Sequence, residues 1–372
     1  MESGVQVFAY PEELDAVEPA ALAEQVLELG CDTVSMALTY HRARRVLPRQ
    51  GRVSFSPGGA VSFTPSLSRY GVLVPEPTAS ARLRTAVERF REAARAAGLR
   101  FHAWLVTLHS EPLVLAHPDL AAQTVDRTPS DFALCPSNSE VVAYAAALVG
   151  DVCDRLEPDG VDLEAALYPA WDPAYTLTLS LDEMSDRARL FGAQCFCPAC
   201  LRVPGLQRAV ERARAAAGPP FGTGEDVDDA LADELAAARA GPVGRLLAAA
   251  ASEAHAAGAS LCVTASGSGS AVRLRGLSPG SAAAVDGVLF GCATLTGAAL
   301  QKRLAELVPL AGERWFAASL NWSPLRTPAA LAADALLAAT AGARRLALYN
   351  LSLVPEAGLE AFRAAAGEFA AR

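Results

Sequence analysis

Three cysteines stand within six residues, Cys195-Phe-Cys197-Pro-Ala-Cys200, the densest ligating chemistry in the chain. Thiolates at C-x-C-x2-C spacing can close on one ion, and structural zinc fills four tetrahedral positions with Cys or His. Pro198 helps to fix the turn. The best fourth ligand is Cys135, in ALCPSNSEV, with His109 and His117 as alternatives. The plainer reading is a set of reduced thiols or a redox pair. A site closed by four cysteines has no position left for substrate, so the expected cofactor is a structural Zn2+ that pins down an insertion. Cys31, Cys153, Cys262 and Cys292 sit singly in apolar patterns, the usual setting of a buried free thiol.

Glu164 is the leading candidate for proton transfer. It lies in the run GVDLEAAL, near the end of a strand pattern. A carboxylate there is costly to bury unless it is paired or reactive, and an ion pair with Arg42 or Arg44 is the alternative. His41 and His109 directly follow strand patterns and are candidate general bases. Aromatic and amide side chains gather at the ends of the same runs: Tyr10, Tyr40, Trp104, Tyr168, Asn321, Trp322, Tyr349 and Asn350, with Trp171 just beyond. Flat apolar faces suit the C–H surface of a sugar ring and amides suit its hydroxyls, while packing is the alternative for each residue. The arginines of HRARRVLPRQ read as a solvated charge run. The SGSGSAV segment lacks a full phosphate-binding pattern and reads as a flexible loop.

Eight short apolar runs must carry these groups: 5–10, 33–40, 100–109, 160–167, 260–266, 285–291, 314–322 and 345–352. Each is too short for a typical helix and is bounded by Gly, Pro, Asp or Asn, which favours strands; Ala/Leu-rich helical patterns lie between. Eight βα units in succession predict an α/β fold, a (β/α)8 TIM barrel with its active face at the C-terminal strand ends. The whole of 1–372 reads as one barrel domain. A β-hairpin insertion is expected after strand two, within about 51–75, around the PGG turn of RVSFSPGGAVSFTP. A helical, cysteine-containing insertion is expected after strand four, at about 168–256.

Composition narrows the function classes. Of 372 residues 52% are hydrophobic and 20% charged, enough for a core without general disorder. A net charge of −9 argues against nucleic acid as a partner. No apolar run reaches the ~20 residues of a membrane span, and MESGVQVFAYPEELD lacks a secretory-signal pattern, so a cytoplasmic location is expected.

A Cys in an LCPS segment, then a strand carrying Glu, then C-x-C-x2-C: in this order the features resemble the catalytic barrel of family 42 β-galactosidases and related hypothetical glycosyl hydrolases. The match is strongest over about residues 100–203. The resemblance implies that Cys135, Cys195, Cys197 and Cys200 bind structural zinc and that Glu164 is the acid/base of a retaining glycosidase. The chain departs from that family at strand seven. The nucleophilic Glu expected there is replaced by Ala318-Ser319-Leu320-Asn321-Trp322-Ser323. A retaining mechanism needs two carboxyl groups ~5–5.5 Å apart and an inverting one ~6.5–9.5 Å. A loop residue, Asp172, Glu183, Asp186 or Glu356, would then supply the second. The expected function is a glycoside hydrolase-like enzyme acting on a carbohydrate-like small molecule, with homo-oligomerisation left open. The alternatives are an isomerase, epimerase or lyase of a polyhydroxylated substrate using Glu164 and a His, and a non-catalytic sugar-binding pseudo-enzyme.

Overall fold

The computed structural model describes residues 4–56, 58–78, 80–124, 127–169, 195–209, 211 and 229–372. All eight expected strands are present as β1 (Gly4–Ala9), β2 (Thr33–Thr39), β5 (Arg100–Val106), β8 (Gly160–Glu164), β9 (Ser260–Ser266), β10 (Gly287–Gly291), β11 (Trp315–Asn321) and β12 (Arg345–Tyr349). They pair in parallel in the closed order β1-β12-β11-β10-β9-β8-β5-β2, a (β/α)8 barrel. Their near-continuous burial explains the short apolar runs: one face meets the barrel interior and the other the helix ring. Fully burying one Val or Leu there contributes about 1.5–3 kcal/mol.

The interior is layered. Near the floor Asp162 accepts from Gln6 Nε2 at 2.7 Å and Ser35 Oγ at 2.6 Å, with His102 Nδ1 at 3.3 Å. An apolar cluster in the same interior holds Phe8, Trp104, Cys262, Leu289, Ala317 and Ala347. Asp286, at the opposite end from the active face, accepts from His255 Nε2 and the Leu261 amide, both at 2.8 Å.

The hairpin differs from its expected position. It is built from β3 (Ala43–Leu47) and β4 (Arg52–Ser56), antiparallel, with Val46 opposite Val53 and left-handed Gly51 in the turn. The arginine run is therefore a strand: Arg45 is buried because Glu12 takes its Nη1 at 2.6 Å. The glycines of the PGG segment follow the hairpin instead of forming its turn. Gly58 and Gly59 have φ of 87° and 68° and lie against Glu111 and Ser110, where a Cβ would collide.

A second hairpin, β6 (Ala121–Gln123) with β7 (Pro129–Leu134), follows β5 and leads into Cys135. Asn138 then caps the helix Ser139–Leu156, its side chain accepting from the Glu140 amide at 3.0 Å. The helix Asp229–Ala256, expected in the insertion, packs on Ser139–Leu156 and near β9, in the barrel's helix ring. SGSGSAV is ordered as a short helix, Gly269–Leu274, capped by Ser268. Trp171, Asp172, Glu183 and Asp186 lie outside the described residues. Among the described residues, no helix is long and apolar enough to cross a membrane.

Candidate functional site

Glu164 ends β8, the fourth barrel strand, and is half-buried at the C-terminal mouth. Its Oε2 accepts from Trp104 Nε1 at 2.7 Å. Among the described residues it has no salt bridge, so the pair with Arg42 or Arg44 does not form. Burial pushes its pKa above the ordinary value, partly opposed by the Trp104 bond and by the charges of His41 and Arg275. The next residue, Ala165, has φ of 56°. That left-handed backbone costs a non-glycine residue about 1–2 kcal/mol, and such strain tends to collect at functional sites.

Beside Glu164 the ends of three adjacent strands, β12, β1 and β2, place three tyrosines together. Tyr10 and Tyr40 hydroxyls are 3.0 Å apart, Tyr10 and Tyr349 2.9 Å, and Tyr40 and Tyr349 3.0 Å. Burial raises the pKa of all three, so they remain neutral phenols. Trp104 stacks on Tyr10 at 5.6 Å between ring centroids and meets Tyr40 and Phe8 edge-on. Arg45 lies over the Tyr10 and Tyr40 rings at 4.0 and 4.6 Å. Tyr10 and Trp104 are 2% and 1% exposed, so they form the layer beneath the opening, with Tyr40 and Tyr349 partly exposed above.

His41 packs on Tyr40 and lies 6.5 Å from His109, ring to ring. Burial, then the charges of His41 and Arg275, lower the His109 pKa to about 3. At neutral pH His109 is an uncharged imidazole and a weak base, better suited to hydrogen bonding than to taking a proton.

Three polar atoms at strand ends are buried without a hydrogen-bond partner among the described residues: Thr264 Oγ1, Asn321 Oδ1 and Asn350 Nδ2. The other Asn350 amide atom accepts from the Ser352 amide at 2.9 Å. Unmet polar groups at this face call for a ligand or water. Trp322 does not join them; it packs with the helix layer, close to Gly358. Glu356 is exposed at the start of the last helix.

Tyr168 also stands apart from the mouth. It is fully buried, with its hydroxyl bonded to Ser137 and 3.7 Å from Cys200 Sγ. Cys135, Cys195, Cys197 and Cys200 are buried, free of disulfides, and have sulfurs all within 4.8 Å of one another. Cys135 lies 3.4 Å from both Cys197 and Cys200, and Cys197 lies 3.9 Å from Cys200. A tetrahedron with metal–sulfur bonds of ~2.3 Å has S···S edges of ~3.8 Å, so this donor set could hold a metal ion. Cys195 Sγ also accepts from the Gln123 amide at 3.3 Å, as a ligating sulfur does. His109 and His117 are not in the cluster.

Arg275 was not legible as a site residue; nothing in RLRGLSPG marks it. Buried, it donates Nε to the Tyr168 carbonyl at 2.8 Å and Nη1 to the Ser266 carbonyl at 3.1 Å, and its charge acts on both Glu164 and His109. It links the cysteine cluster to the mouth through Tyr168.

No family model matches the chain, and no curated protein matches it in sequence. Solved structures match in fold. The PgaB (BpsB) glycoside hydrolase domain from Bordetella bronchiseptica superimposes with a TM-score of 0.60 at 13% identity, covering 97% of this chain and 98% of that one. The catalytic domain of β-amylase from Paenibacillus polymyxa gives 0.63 at 11% identity, covering 98% of each. α-L-Fucosidase isoenzyme 2 from Paenibacillus thiaminolyticus gives 0.56 at 14%, covering 99% of this chain and 49% of that one. At such identities the likeness is one of barrel fold, and family 42 is not singled out.

Proposed function

We propose that this protein is a glycoside hydrolase-like enzyme acting on a sugar or glycoside-like small molecule, with Glu164 as general acid/base. The carrying observation is Glu164 itself: a carboxyl at the end of the fourth barrel strand, held by one indole N–H, free of an ion pair among the described residues, and less acidic than usual through burial. A carboxyl so placed holds its proton more firmly than an exposed one and can hand it to a leaving-group oxygen. Tyr40 and Tyr349 offer hydroxyls at the same mouth, and Asn321, Asn350 and Thr264 bring polar atoms that have no hydrogen-bond partner among the described residues. Barrels of the same form in proteins described as a glycoside hydrolase domain, a β-amylase and an α-L-fucosidase support the reading by analogy.

The end of β11 carries Ser319 and Asn321 and no carboxylate, so the reading does not include a strand-seven nucleophile. We assign zinc to the four cysteines, in a structural role: all four positions are protein sulfur, and none is left to polarise substrate.

A panel of aryl-glycosides tests the reading. Turnover of at least one should fall about 10²–10⁴-fold in Glu164→Gln, the range for loss of a general acid. Turnover unchanged by that substitution would overturn it. Among the described barrel strands only β8 ends in a carboxylate, which also suits a second reading, proton transfer beside a carbonyl in an isomerase, epimerase or lyase. Solvent-deuterium exchange into a sugar, lost in Glu164→Gln, would identify that chemistry. Sugar binding with no turnover of either kind would leave a pseudo-enzyme.

A further inference from the structure

Arg239, on the helix Asp229–Ala256, is fully buried, yet it meets no carboxylate among the described residues. Its Nη1 donates to the Leu274 carbonyl at 3.3 Å, while Nε and Nη2 have no partner among the described residues. The guanidinium lies over the rings of Tyr168 and Phe196, at 5.3 and 5.2 Å. Both rings belong to the cysteine cluster: Phe196 separates Cys195 from Cys197, and the Tyr168 hydroxyl is 3.7 Å from Cys200 Sγ.

Removing a guanidinium from water is costly unless opposite charge repays it, and two ring faces repay only part. The ionisable groups that its two stacking rings adjoin are the four clustered cysteines. Four neutral thiols would leave the arginine uncompensated. A divalent ion on four thiolates carries a net charge of −2, opposite in sign to the arginine, which would offset half of it.

We propose that Arg239 is the built-in counter-cation of a metal tetrathiolate at Cys135, Cys195, Cys197 and Cys200, a positioning residue acting across the Tyr168 and Phe196 rings. The inference rests on the metal reading above and adds the sign of the charge the site must carry.

The test uses the full chain, zinc alone as probe, and the variants Arg239→Met, Arg239→Lys and Cys197→Ser. Zinc content, zinc release to a chromophoric chelator and thermal midpoints with and without zinc are measured. Arg239→Met should release zinc at least about tenfold faster, as loss of an outer-shell partner does, and Arg239→Lys should stay within about threefold of the parent. The midpoints should cross: zinc-loaded Arg239→Met melts below the zinc-loaded parent, and metal-free Arg239→Met melts at or above the metal-free parent. Equal zinc retention in Arg239→Met and the parent, with loss only in Cys197→Ser, would overturn the inference and leave the metal reading standing. An equal fall in both midpoints would also overturn it, making Arg239 a packing strut. A parent chain that takes up no zinc would sink both. Should Arg239→Met not fold, Arg239→Lys decides, and a tenfold faster release from it overturns the proposal.

Discussion

Trp104 stands level with Asp162 in the barrel register, and its indole N–H reaches one layer higher to the carboxylate of Glu164, 2.7 Å away. The bond favours the ionised carboxylate against a burial that opposes it. In Trp104→Phe the donor is gone, so the Glu164 pKa should rise further. For an acid that works protonated, the alkaline limb of the kcat/KM–pH profile should move to higher pH. A limb that stays in place would show that it reports another group.

Arg275→Met should move the same limb in the same direction, because its positive charge also favours ionised Glu164. Its own pKa, lowered to about 10 by burial, leaves it charged at neutral pH. The substitution also strands the carbonyls of Tyr168 and Ser266. Stability should fall by about 2 kcal/mol, the cost of buried acceptors left unmet, measured by urea unfolding.

Asp162 holds the floor. Burial raises its pKa, but His102, the Ser35 hydroxyl and Arg345 outweigh burial and leave it below the ordinary carboxylate value. A carboxylate with a depressed folded pKa stabilises above its unfolded value of ~3.9 and loses that contribution as pH falls through the folded value. Asp162→Asn should therefore cost about 3 kcal/mol at pH 7, and the gap to the parent should close below about pH 4. A gap independent of pH would mean that the cost is steric.

Stripping metal with a chelator under reducing conditions should lower the thermal midpoint by at least about 5 °C, since ~2–4 °C corresponds to 1 kcal/mol in chains of 150–250 residues and somewhat less in longer ones. Metal analysis should give about one zinc per chain before stripping, from the four-ligand count. No metal and no change in midpoint would reduce the cluster to four thiols.

Gly58→Ala places a Cβ 2.1 Å from Glu111 Oε2 and 2.8 Å from the Arg42 amide, at a left-handed φ. It should destabilise by about 2 kcal/mol, of which the backbone strain alone is ~1–2. Pairing it with Glu111→Ala should relieve the clash with that carboxylate but neither the strain nor the contact with the Arg42 amide. Full recovery or none would contradict the close approach.

The barrel was legible because parallel strands buried on both faces leave short apolar runs, and all eight were readable. The three tyrosines were legible too, as strand-end residues, although that β12, β1 and β2 are neighbours in space appears only when the barrel closes. The hairpin was misplaced because ARRVL hides its alternation under arginines. Arg45 is an inward position only because Glu12 and two tyrosine rings receive it. Arg239 and Arg275 carry no local signal, since a buried cation is defined by what surrounds it. The cysteines were legible as a cluster by spacing, while the place of Cys135 among them depended on β7 ending beside the others.

Three phenols that each give and take one bond around a triangle consume every hydrogen they own. Such a triangle has only lone pairs left to offer, so it greets an incoming molecule as an acceptor. A guest that brings a hydroxyl hydrogen meets it at no cost, whereas a bare oxyanion must first break the circle.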